Sequence, residues 1–134
     1  SLGSISGKTI AILGAAFKPD SDDIRDSPAL DIALLLSKGG ANIRLNDPVA
    51  LPQVRGRNLP ILAIENLEEV FDGADLVLHL TEWKQYRELD PQKISDRVAN
   101  KVIIDGRNCL DLALWSNAGW QVTYLGKPGS PAAL

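Results

Sequence analysis

Short apolar runs suited to strands alternate along this chain with amphipathic stretches suited to helices, and this alternation restricts the fold more than any other feature. Strands are expected at Thr9–Leu13, Asn42–Asn46, 60–63, 76–80, 101–104 and 121–125. Helices are expected at Pro28–Lys38, 66–71, 91–98 and 110–118. Strands joined in sequence through crossover helices run parallel within one sheet. The expected fold is therefore α/β, a doubly wound, mainly parallel sheet of about five or six strands with helices on both faces. The first helix places Leu30, Ala33 and Leu34 on one face and stops at Gly39-Gly40, where a left-handed residue is easily accommodated.

The connection from the first strand to the first helix runs through Gly14-Ala15-Ala16-Phe17-Lys18-Pro19 and Asp22-Asp23-Ile24-Arg25-Asp26. It exceeds the roughly two to six residues usual for such loops, and loops of that length are usually functional. Ser27 can cap the helix, Pro28 fits its first position, and Asp31 complements the positive end of its dipole. Lys18 and Arg25 share the loop, so positive potential converges where an anion such as a pyrophosphate could bind. The alternative is a solvated turn, because Asp20, Asp22, Asp23 and Asp26 outnumber the two cations.

In a Rossmann-like sheet, ligands bind beyond the carboxyl ends of the strands, where the strand order reverses. That rule selects Phe17 and Lys18, Asp47-Pro48, Thr81-Glu82-Trp83 and Asp105-Gly106-Arg107-Asn108, all on one edge. Lys18 and Arg107 thus arrive on one rim from distant parts of the sequence, as a polyphosphate ligand requires. Charge-assisted hydrogen bonds are worth roughly 1.5 to 3 kcal/mol each, so two or three could supply much of a micromolar affinity near roughly −8 kcal/mol.

With 134 residues the chain suits one domain, and its net charge of −3 argues against nucleic acid or an anionic membrane as partner. No apolar run approaches the roughly 18 residues of a membrane span, and no signal-peptide pattern opens the chain, so a cytoplasmic location is expected. Residues 1–6 read as a linker or expression scar, 7–126 as the domain, and 127–134 as a flexible tail; the chain reads as an excised fragment. A single cysteine and a single histidine leave no disulfide and no metal-ligand spacing, so no metal is expected.

The dinucleotide fingerprint is reduced to Gly14, with Ala15 and Ala16 following it. Asp47 ends the second strand as a ribose-binding acid would, but lies about 33 residues beyond Gly14 rather than about 20, which favours a turn or capping aspartate. His79, inside an apolar run, is expected to be a half-buried histidine bonded to a neighbour. Cys109 sits near a helix start that could activate a thiol, yet a packed or idle thiol is the stronger reading. Trp83 could stack on a base or cover the end of the sheet. Trp115 and Trp120 read as packing residues.

Taken in order, Gly7-Lys8-Thr9-Ile10-Ala11, Phe17-Lys18-Pro19, Asp22-Asp23-Ile24-Arg25-Asp26-Ser27-Pro28, Asp47-Pro48, Thr81-Glu82-Trp83 and Asp105-Gly106-Arg107-Asn108 resemble the C-terminal UDP-binding domain of the UDP-glucose/GDP-mannose dehydrogenase family. The resemblance covers nearly the whole chain. It implies a parent enzyme that oxidises UDP-glucose to UDP-glucuronate with NAD, and that works as a homodimer or larger assembly. It also implies that Phe17, Lys18 and Arg107 contact the nucleotide sugar and that Arg25 reaches NAD held mainly by an N-terminal domain. Cys109 does not match the family's nucleophile motif, so no catalytic residue is expected here and the isolated chain should be inactive. A free-standing nucleotide-binding or regulatory module remains an alternative, as does the same domain of a dehydrogenase for GDP-mannose or a UDP-hexosamine.

Overall fold

The computed structural model describes residues 5–16 and 23–124. Its sheet is six-stranded, in the order β3-β2-β1-β4-β5-β6, with β1 Thr9–Leu13, β2 Asn42–Asn46, β3 Leu62–Ala63, β4 Leu76–His79, β5 Val102–Asp105 and β6 Gln121–Tyr124. Every pairing is parallel. The expected parallel α/β sheet is therefore present, and its order reverses between β1 and β4.

Period-two alternation divides the core between the two faces of the sheet. Ile10 and Ile12 of β1 pack with Ile43 and Leu45 against Leu30 and Ala33 of α1 (Pro28–Lys38) and Val54 of α2 (Leu51–Gly56). Ala11 and Leu13 point the other way, where Val77 and Ile103 meet Phe71, Tyr86, Trp115 and Trp120. Trp115 and Trp120 are packing residues, as expected, with rings edge to face at 4.9 Å.

Local chemistry sets the helix ends. Ser27 Oγ accepts from the Leu30 amide to cap α1, and the turn beyond it passes through Gly40 at φ 97°. The expected helix at 66–71 is a short 3-10 helix, Glu69–Phe71, whose Glu69 amide is held by Asn66 Oδ1. The one at 91–98 stops earlier, as α4 (Pro91–Ile94), and the Arg97 carbonyl beyond it accepts from Gly73 N. The last, α5 (Leu112–Asn117), starts behind the Asp111 cap. Two short helices were not expected: α2 and α3 (Lys84–Arg87). Both are nucleated by contacts made in the fold rather than by a long amphipathic pattern.

One buried link ties α3 to the sheet edge. The Tyr86 hydroxyl lies 2.9 Å from the Asn46 carbonyl and 2.8 Å from Asn46 Oδ1, and burial, then the Asp47 charge, push that hydroxyl well above its ordinary pKa. Tyr86→Phe leaves Asn46 Oδ1 without its donor, so a loss of about 1–3 kcal/mol is expected in urea unfolding. An unchanged midpoint would show that this link carries no stability.

Candidate functional site

The crevice lies where β1 and β4 part. Gly14 leaves β1 at φ 108°, and a Cβ there would run into the Thr81 side chain and stand 2.9 Å from the Thr81 amide nitrogen. Only glycine suits both the conformation and the close approach.

The next two residues are held by side chains from three other segments. Asp47 Oδ2 accepts from the amides of Ala15 (2.8 Å) and Ala16 (3.2 Å). Ser27 Oγ donates to the Ala15 carbonyl at 2.6 Å, and Thr81 Oγ1 donates to the Ala16 carbonyl at 2.9 Å. Asp47 is buried, and its other oxygen accepts from Val49 N and Ala50 N, so it is a turn and capping aspartate, as its spacing suggested. Because Asp47 already takes up the Ala15 and Ala16 amides, the β1 turn does not offer them to the pyrophosphate of a dinucleotide. Phe17 and Lys18, which follow, lie outside the described residues.

The turn after β5 is built on another buried carboxylate. Asp105 Oδ1 takes His79 Nδ1 at 2.9 Å and the Arg107 amide at 3.0 Å, while Oδ2 accepts from the amides of Cys109 and Leu110, both at 2.9 Å. Burial alone would push the Asp105 carboxyl up. The bonds from His79, Leu110 and Arg107 outweigh it and hold the carboxyl below its ordinary value. An ionised carboxylate only accepts, which assigns a proton to His79 Nδ1. His79 is thus bonded to a neighbour as expected, but is fully rather than half buried. The backbone of Asn108 is left-handed at φ 56°, which suits asparagine and turns the chain toward Cys109.

Ligand atoms of His79, Asp105 and Cys109 lie within 4.8 Å of one another, yet both Asp105 oxygens are already saturated by protein donors. The trio therefore works as a loop anchor. Burial first, then the charges of Asp105 and Glu82, push the Cys109 thiol up to about 11, so it stays protonated and unreactive at neutral pH. Trp83 is buried among Tyr86, Leu13 and Trp115, covering the sheet end rather than offering a face to a base.

Arg107 stands on that anchored turn, with Nη2 3.3 Å from Glu82 Oε1 and both side chains half-exposed. Thr81 and Glu82 are adjacent, so one short segment touches both rim loops: Thr81 the one leading to Phe17 and Lys18, Glu82 the one bearing Arg107. Arg25 belongs to a different wall. Its guanidinium pairs with Asp23 (Nε to Oδ1 3.0 Å, Nη2 to Oδ2 3.1 Å) beside a groove of about 430 Å³ shared with Gln53 and Arg57. That pairing lowers the Asp23 carboxyl to about 2, and its exposure to solvent keeps it from adding appreciable stability.

Sequence reasoning located Ser27, Thr81, Glu82 and Asp105 without giving their tertiary roles. An Asp-Gly pair beyond a strand signals a side-chain-held turn, but nothing local marks Thr81 or Glu82 as partners of other loops.

The description "UDP-glucose/GDP-mannose dehydrogenase family, UDP binding domain" matches residues 11–112. The chain is 36% identical over 132 residues to UDP-glucose 6-dehydrogenase TuaD of Bacillus subtilis, covering 95% of this chain and 28% of that protein. It is 35% identical to UDP-glucose 6-dehydrogenase of Pseudomonas aeruginosa, covering 94% and 29%. Among solved structures, an NDP-N-acetyl-D-galactosaminuronic acid dehydrogenase from Methanosarcina mazei matches with TM-score 0.76 at 34% identity over 94% of this chain and 26% of that one. A UDP-glucose dehydrogenase from Pyrobaculum islandicum matches with TM-score 0.70 at 33% identity, over 81% and 24%. The chain thus spans under a third of the length of these relatives. A match through most of the chain, on a sheet whose switch point carries the built rim described above, places it in the UDP-glucose/GDP-mannose dehydrogenase family as the UDP-binding domain.

Proposed function

We propose that this chain serves an NAD-dependent UDP-glucose 6-dehydrogenase by holding the nucleotide sugar, with Phe17, Lys18 and Arg107 on the UDP-sugar and Arg25 directed to NAD. The observation that carries the reading is Arg107 raised on the Asp105-anchored turn at the carboxyl edge of the sheet, where the β1 loop also emerges. The domain binds and orients; it supplies no nucleophile, consistent with the protonated Cys109. NAD would supply the hydride acceptor when bound to the parent enzyme. The saturated Ala15 and Ala16 amides fit a single contact through Arg25 rather than a dinucleotide cradle in this chain.

The parent is proposed to be a cytoplasmic homodimer or larger oligomer whose other domains hold the reacting carbon. Among the described residues no helix is long and apolar enough to cross a membrane. A UDP-hexosamine as substrate is a second reading, favoured by the 34% identity to the N-acetylgalactosaminuronic acid dehydrogenase. Comparing oxidation of UDP-glucose and UDP-hexosamines by the full-length parent separates the two.

Calorimetric titration with UDP tests the binding role. Lys18→Ala and Arg107→Ala should each weaken UDP binding by at least about tenfold, since each removes a charge-assisted contact worth roughly 1.5–3 kcal/mol. Affinity equal to the parent's in both variants would overturn the proposal.

A further inference from the structure

We infer that Glu82 is a positioning residue for Arg107, setting the direction in which that guanidinium meets the diphosphate of a nucleotide; the inference rests on the nucleotide-site reading above. Exposed ion pairs usually do little, because two long side chains must be frozen on mobile mounts. Here both mounts are fixed. Glu82 lies between buried neighbours: Thr81, whose hydroxyl is bonded to the Ala16 carbonyl and whose own carbonyl accepts from Trp83 N at 2.9 Å, and Trp83, packed in the core. Arg107 begins at an amide held by Asp105 Oδ1, and the two amides at Cys109 and Leu110 are held by Oδ2.

The single side-chain bond between the two residues uses Nη2, at 3.3 Å. Nε and Nη1 make no hydrogen bond to the described residues, so donors remain for a phosphate oxygen while Glu82 keeps the fork from swinging away. The arrangement lowers the ordering needed when a ligand arrives, which is how preorganisation raises affinity.

The test is UDP titration of this chain as a double-mutant cycle. Glu82→Ala should weaken UDP binding about threefold to fivefold, the size expected for an exposed but oriented ion pair. Glu82→Gln retains an Oε1 acceptor for Nη2 and should recover most of that loss. In an Arg107→Ala background Glu82→Ala should have no further effect, an outcome that a general structural role for Glu82 would not produce. Unchanged or tighter binding by Glu82→Ala, or equal weakening with and without Arg107, overturns the inference while leaving the nucleotide site in place. If Arg107→Ala itself leaves UDP affinity unaltered, the nucleotide-site reading fails and the inference fails with it.

Discussion

Gly14→Val is expected to cost roughly 3–5 kcal/mol of stability, among the largest losses for a single change at the sheet edge. Two penalties combine. A β-branched side chain is poorly tolerated at φ 108°, and the new Cβ would occupy space already filled by the Thr81 side chain and its backbone nitrogen. Thr81 cannot retreat cheaply, because its hydroxyl is committed to the Ala16 carbonyl and its amide to the Leu13 carbonyl. Urea unfolding followed by circular dichroism would show the loss, with Gly14→Ala intermediate. A valine variant with the parent's midpoint would mean that β1 and β4 do not approach each other as described.

Asp105→Ala should cost a comparable amount, about 3–5 kcal/mol, because it strips an acceptor from His79 Nδ1 and from the amides of Arg107, Cys109 and Leu110. Asp105→Asn keeps the shape and one acceptor oxygen, so its cost should be smaller. Acid separates charge from shape. Since the folded carboxyl titrates below its ordinary 3.8, its contribution is fully present above that pH and declines as pH falls through the folded value. The stability gap between the parent and Asp105→Asn should therefore narrow below about pH 3.8 and be flat near neutrality. A gap that stays constant down to pH 2 would show that the charge of Asp105 contributes nothing. Arg107 loses its fixed mount in Asp105→Ala, so weaker UDP binding is expected there alongside the lower stability.

The contrast between Asp105 and Asp47 shows how far local reasoning reaches. The distance of Asp47 from Gly14 favours a turn or capping aspartate, and its bonds to Val49 N and Ala50 N agree. Its grip on Ala15 and Ala16 spans more than thirty residues and left no trace nearby in sequence. The apolar run around His79 predicts a half-buried histidine bonded to a neighbour, but its full burial and its partner, 26 residues later, depend on β4 and β5 becoming neighbours. The helices α2 and α3 escaped notice because each is too short to show a helical period.

The linear pattern by itself determined the strand and helix alternation, the parallel sheet, the start of α1 at Ser27-Pro28 and the edge on which candidate ligand residues gather. These follow from periodicity, capping chemistry and crossover handedness, all of which act over a few residues or constrain the chain as a whole. Only the tertiary structure decided which carboxylate anchors which loop, that Cys109 is a protonated thiol, that Trp83 is core and that Glu82 faces Arg107. Those outcomes depend on desolvation and on hydrogen-bond partners brought together from separate strand ends, quantities that do not exist until the sheet has closed.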